Sequence, residues 1–169
     1  MKEIFEDIQA ADAVVFATPE YHYTMSEGMK RLVERTMPLL EPKLSVATDG
    51  RATHARIGHR GQRAVLLATC GFPEQEVFEP LGATFAQICR MMEWRPSGEV
   101  LRTMSGLLLS KDQRARESSA GYLQMVANAG KMFSGGKPLD ARFRSYLEQE
   151  LLPKEEFLRL VNEWWQTKG

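Results

Sequence analysis

A chain of 169 residues suffices for one ordinary hydrophobic core and leaves little room for two, so a single domain over 1–169 is expected. Hydrophobic residues make up 43% and charged residues 26%, a globular balance that excludes a fibrous or wholly disordered chain. Lys plus Arg equals Asp plus Glu at 22 each, which removes the broad positive field of a dedicated nucleic-acid binder, and nucleic acid is not an expected partner.

Cys70 and Cys89 match neither a paired metal motif nor a disulfide framework, and a reducing compartment suits them. The opening MKEIFEDIQA lacks the basic flank and apolar centre of a secretory leader, and charges interrupt every apolar run before it could span a bilayer. A cytoplasmic protein with no membrane partner is expected.

Along the chain, Ile4, Phe5, Ile8 and Ala11 recur at helical spacing opposite Lys2, Glu3, Glu6 and Asp7. Ala13 to Ala17 then runs apolar without alternation, as in a parallel strand covered on both faces, and Pro19 is expected to end it. After the aromatic loop Glu20 to Tyr23, Thr24 and Glu27 form a T-x-x-E capping box for a helix carrying Met29, Leu32, Val33 and Met37. Glu41 to Gln62 is polar and broken by Pro42, Gly50, Gly58 and Gly61, which predicts a long irregular loop.

A second apolar run, Ala64 to Ala68, ends at Thr69-Cys70-Gly71 and yields to a helix bearing Phe78, Leu81, Phe85, Ile88 and Met92. A third strand is expected near Gly98 to Thr103, and Ser110 with Gln113 supplies an S-x-x-Q start for a long helix that stops at Gly135-Gly136. Two more helices follow, the last announced by Pro153 with Glu155 and Glu156 just inside it. Helices alternating with strands predict an αβαβαβ core over 1–103 and a helical part over 104–169, a doubly wound α/β sheet. Ligands of such sheets sit outside the strands' carboxyl ends, here Thr18 to Tyr23 and Thr69 to Glu74.

The segment Ala11 to Ser26, with its apolar strand, Pro19-Glu20-Tyr21, a short loop and the helix closing at Glu34-Arg35-Thr36, resembles the NADPH-dependent FMN reductase and iron–sulfur flavoprotein families. Cys70-Gly71-Phe72-Pro73-Glu74 is similar to the second flavin-side loop of one branch. The resemblance implies a flavodoxin-like three-layer sandwich, FMN as cofactor, NAD(P)H as hydride donor, a small-molecule or protein electron acceptor and a homodimer. It implies flavin contacts from Pro19, Glu20, Tyr21, His22, Tyr23, Thr24 and Met25 and from Thr69, Cys70, Gly71 and Phe72, with no catalytic side chain and no metal, because the flavin carries the chemistry. The family's first strand and its Ser/Arg/Asn/Thr loop around the FMN phosphate have no counterpart here. The expectation is therefore an N-terminally short sheet of about three strands, with Val14, Val15 and Phe16 on an open edge and weakened flavin binding. Met1 then reads as an internal position of a longer ancestor or reading frame. The rival reading is a noncatalytic α/β interaction module that has lost its flavin site.

Other candidates have plainer explanations. Cys70 reads as a reactive or a structural thiol, and Cys89 as packing. Lys43, Arg51, Arg56, Arg60 and Arg63 with His54 and His59 make a basic loop that suits a nucleotide phosphate or simple solvation. Ser134 to Pro138 lacks the P-loop spacing and reads as a helix stop, and Trp164 and Trp165 read as core and interface anchors.

Overall fold

The computed structural model describes residues 2–58, 61–139 and 141–167. Helix α1 (Lys2–Ala10) leads into strand β1 (Ala13–Tyr21), which turns back through the short β2 (Thr24–Met25) into α2 (Glu27–Glu34). A 3-10 turn at Met37–Leu39 precedes the hairpin β3 (Leu40–Val46) and β4 (Ala52–Arg56). Strand β5 (Arg63–Thr69), a 3-10 turn (Gln75–Phe78), α3 (Glu79–Met91) and β6 (Arg95–Arg102) complete the sheet. A further 3-10 turn (Ser105–Leu109) and helices α4 (Gln113–Ser134), α5 (Ala141–Leu147) and α6 (Lys154–Gln166) follow.

The central sheet has the order β2-β1-β5-β6, with β1, β5 and β6 parallel, from Ala13 opposite Arg63 to Thr69 opposite Arg102. Helices cover both faces, giving the three-layer α/β arrangement expected of a flavodoxin-like chain. One core lies between the sheet and α1, α2 and α3, where Phe16 meets Phe85 edge-on and Trp94 at a tilt, each at 5.5 Å between ring centroids. The other joins Val100, Met104 and Leu107 to Tyr122 of α4, Leu147 of α5 and Phe157 of α6. Both cores exist because β5 is apolar on both faces: Ala64 and Leu66 belong to the first, and Leu67 packs against the second.

Several boundaries differ from expectation. Pro19 does not end β1, which continues to Tyr21 with Pro19 opposite Thr69. Proline is tolerated beside an edge without a partner, and β2 covers only Glu20 and Tyr21 there. The expected box at Thr24 is replaced by a cap at Ser26, whose Oγ accepts the Met29 N–H at 3.4 Å, because Thr24 is used up in pairing with Tyr21. Likewise Asp112, not Ser110, caps α4, accepting the Ala115 N–H at 3.0 Å; Ser110 accepts the Asp112 N–H. A carboxylate on three unpaired helix N–H groups is the stronger acceptor.

The stretch from Glu41 to Gln62 is no irregular loop. Its hairpin pairs Leu44 with His54 and Val46 with Ala52, turning at Asp49-Gly50 with Gly50 at φ +80°. Its base is anchored by Arg56, which is buried and donates to the carbonyls of Leu39 and Ile57 at 3.0 and 2.6 Å. Arg56 is thus structural and not part of a solvated basic patch. Arg63, another of that set, opens β5 with its guanidinium over the Phe133 ring and a hydrogen bond to the Phe133 carbonyl, steadying the last turn of α4. His59 and Arg60 lie outside the described residues.

Among the described residues, no strand pairs with Ala13–Pro19 on the side away from β5, and Val15 is 52% exposed. The open edge expected from the sequence is present. No described helix is long and apolar enough to cross a membrane.

Candidate functional site

The carboxyl ends of β1 and β5 each carry one of the two predicted loops. At the first, His22 and Tyr23 occupy left-handed conformations, φ 49° and 64°, between paired Tyr21 and Thr24. Two consecutive positive φ values in a two-residue hairpin define a type I′ turn, which favours Asn-Gly and penalises bulky residues. The turn is held by the buried Glu20, whose carboxylate accepts the Tyr23 N–H, and by Thr18, whose hydroxyl oxygen accepts the Ser26 N–H at 3.0 Å. Replacing His22-Tyr23 by Asn-Gly is therefore expected to stabilise the fold by about 1 kcal/mol per relieved position, read from urea denaturation, while removing both rings from the loop.

The second loop is tied to the end of β6. Cys70 N–H donates to the Arg102 carbonyl, Ser105 N–H to the Cys70 carbonyl and Met104 N–H to the Phe72 carbonyl, each at 2.9 Å. Beneath it the buried Arg102 guanidinium donates to the Thr103 carbonyl (2.9 Å), the Thr103 hydroxyl (3.1 Å) and the Leu147 carbonyl (3.2 Å), and lies over the Tyr122 ring. Burial draws the Arg102 pKa down from its ordinary value, and the neighbouring Tyr122 and Cys70 oppose that shift. The N–H groups of Gly71 and Phe72 find no acceptor among the described residues.

Cys70 is itself buried, and burial pushes its thiol up to about 11; burial likewise pushes Cys89 up to about 12. Both are structural thiols in this state, since the thiolate is the nucleophile. Iodoacetamide at pH 8 is expected to leave both unlabelled in the folded protein and to label both in urea; rapid native labelling would contradict the burial. An unfolded thiol ionises near about 8.5, so the unfolded chain sheds these protons first. The stability tied to the protonated thiols is therefore lost as pH rises from about 9 towards 12.

Glu20, Tyr21, His22, Tyr23, Gly71 and Phe72 line one cleft of about 790 Å³ at the strand ends, with Tyr21, Tyr23 and Phe72 exposed on its rim. Of the other predicted contacts, Met25 and Cys70 are buried in the core, and half-buried Pro19 and Thr69 and exposed Thr24 are not part of the lining. The cleft's far wall is Pro73 with Phe157, Leu158 and Val161 of α6, none of which was among the site residues expected from sequence. Lys154, at the start of α6, meets Glu74 at 2.5 Å, joining that wall to the second loop. The hydrogen bond from Lys154 holds the Glu74 carboxyl below its usual range.

Residues 1–72 match the family model of NADPH-dependent FMN reductase. The FMN reductase match closes at Phe72, so the first loop and Cys70 to Phe72 of the second fall inside it, while Pro73, Glu74 and the α6 wall fall outside. No curated protein gives a significant match. A chain in the crystal structure of thermophilic tryptophan halogenase (Th-Hal) from Streptomycin violaceusniger is similar in fold, with 15% identity, a TM-score of 0.51, and coverage of 71% of this chain and 68% of that one. At that identity the likeness concerns the fold alone.

The ring system of the flavin that FMN reductases use fits this cleft in kind: aromatic side chains on one rim, Phe157 with Leu158 and Val161 on the other wall, and in the lining Gly71 and Phe72, whose N–H groups have no acceptor among the described residues. The phosphate fits less well. The lining contains the Glu20 carboxylate and no Lys or Arg side chain.

Proposed function

We propose that the chain is an FMN-dependent NAD(P)H oxidoreductase of flavodoxin-like fold that grips the flavin by its ring and only weakly by its phosphate. The observation that carries this reading is the convergence of the two loops of the FMN-reductase-like segment on one cleft at the carboxyl ends of parallel strands. A bound flavin would supply the redox chemistry, taking a hydride from NAD(P)H and passing electrons to a small-molecule or protein acceptor. Tyr21, Tyr23 and Phe72 would offer ring faces to it. The Gly71 and Phe72 N–H groups would donate to its polar edge, and Phe157, Leu158 and Val161 would keep water from its other side. Glu20 acts indirectly, by holding Tyr23 in its strained conformation.

The open edge of β1 fits a homodimer in which a second copy pairs along Ala13–Pro19, a stretch free of charged side chains that could repel across the twofold axis. A cytoplasmic setting accords with two free thiols. The second reading, a noncatalytic interaction module, is favoured by the cleft's lack of a cation for the phosphate and by the same open edge. Riboflavin and FMN distinguish the two. The proposed enzyme binds both within about fivefold of each other, because the phosphate adds few charge-assisted hydrogen bonds of about 1.5–3 kcal/mol each. Saturable binding of neither, by a folded protein, leaves the interaction module.

A further inference from the structure

Beside the strand-end cleft lies a second, larger cleft of about 910 Å³, between the turn Ser105–Leu109 and the apolar face of α6. We propose that it is a binding site for a neutral, planar aromatic molecule. Its floor is formed by the buried Leu107 and Phe157, and its sides by Leu109, Leu160, Trp164 and Trp165. Leu109 is 91% exposed and Trp165 is 63% exposed, so large apolar surfaces face solvent around a concavity with a dry floor. Volume and lining together are those of a small-molecule cleft, not of a flat association patch. Trp164 and Trp165 meet edge-to-face at 4.7 Å between centroids, and the exposed Trp165 ring presents indole surface to the cleft on which a further ring can pack.

Charge selects the class of occupant. The charged residues of the lining are Lys111 and Asp112, adjacent and of opposite sign, and Asp112 is engaged in capping α4. Their charges sum to zero and the rest of the lining is largely apolar, so an ion entering the cleft loses hydration without a counter-charge of its own, and a neutral ligand is favoured. The site shares Gly71, Phe157 and Val161 with the strand-end cleft but is otherwise built from residues outside the FMN-reductase-like segment. The proposal therefore stands apart from the flavin reading and is testable without flavin.

The test is calorimetric titration of the full chain, free of flavin, with 2-naphthol and with its size-matched anion 2-naphthoate, beside sedimentation of each sample. The expected result is saturable binding of one 2-naphthol per chain, with 2-naphthoate at least about tenfold weaker. Trp165→Ala and Leu109→Asn, both at exposed positions, are each expected to weaken 2-naphthol about tenfold with unchanged circular dichroism. Lys43→Gln, on β3 and outside the lining, is expected to leave 2-naphthol binding unchanged. The proposal is overturned by absent or unsaturable 2-naphthol binding, by naphthoate binding as tightly, or by equal affinity in both variants. It is also overturned if sedimentation shows a dimer that Trp165→Ala dissociates, because the occupant is then a second copy.

Discussion

Gly98→Ala is expected to destabilise the protein by about 3–4 kcal/mol, combining backbone strain with overpacking. Gly98 lies in β6 at φ +138°, where the strand's register against β5 shifts between Ala64 and Leu66. A Cβ there would stand 2.5 Å from the Leu139 Cβ and 2.9 Å from its Cγ. Leu139 cannot retreat cheaply, because its N–H donates to the Ser97 carbonyl at 2.8 Å and its side chain is part of the second core. With total stabilities of about 5–15 kcal/mol, the variant approaches unfolding. Urea midpoints of Gly98→Ala, Leu139→Gly and the double variant separate the two contributions: with the Leu139 Cβ removed, the double variant recovers the overpacking share and retains the strain. Full additivity of the single effects would show that the two residues do not collide.

Arg102→Ala is expected to cost about 3–5 kcal/mol, from about 1–3 kcal/mol for each buried carbonyl left without its donor together with the cavity. The substitution strands the Leu147 and Thr103 carbonyls and leaves a void beside Tyr122. Since β6 hands over at Arg102 to the turn that ties down Cys70 and Phe72, the second loop should loosen as well. Arg102→Met, which refills most of the volume, is expected to recover part of the stability without restoring the carbonyl partners. Hydrogen exchange at the Cys70, Met104 and Ser105 amides, which tie the loop down, reads the coupling: faster exchange in Arg102→Met than in the unmodified protein is the expected result, and unchanged exchange means the loop stands without the guanidinium.

Much of this architecture was legible because parallel strands buried on both faces leave a continuous apolar run. Ala13–Ala17 and Ala64–Ala68 carry that signal, and α1, α3 and α6 show their apolar stripes plainly. The hairpin β3–β4 was not legible, because β3 is exposed on both faces beyond Leu40 and so lacks the alternation of a half-buried strand, and Pro42, Gly50, Gly58 and Gly61 read as breakers. Asp49-Gly50 was the available cue, being a favoured hairpin-turn pair. Arg56 was misread for a related reason: its burial depends on the Leu39 and Ile57 carbonyls, and no periodicity marks a cation that will be satisfied by backbone.

At the candidate site, the two loops followed from strand ends and chain order alone. The wall from α6 did not. Phe157 and Val161 sit at ordinary helical spacing, and only the returning chain brings them beside Phe72. The one sequence-level hint was the repeated proline-charge pair, Pro73-Glu74 and Pro153-Lys154, whose opposite charges meet in the structure. The strain at His22 and Tyr23 was likewise invisible, since nothing about a Tyr-His-Tyr run specifies positive φ until β2 pairs back on β1.

The flavin reading is tested most directly by titrating the purified chain with FMN, following the loss of flavin fluorescence while sedimentation reports the state of assembly. The account predicts saturable binding, weakened at least about tenfold when Gly71→Pro removes one of the two unengaged donors. It also predicts that bound flavin is reduced on adding NADPH or NADH. A folded protein that leaves FMN fluorescence unchanged across the titration, as monomer and as dimer, would contradict it.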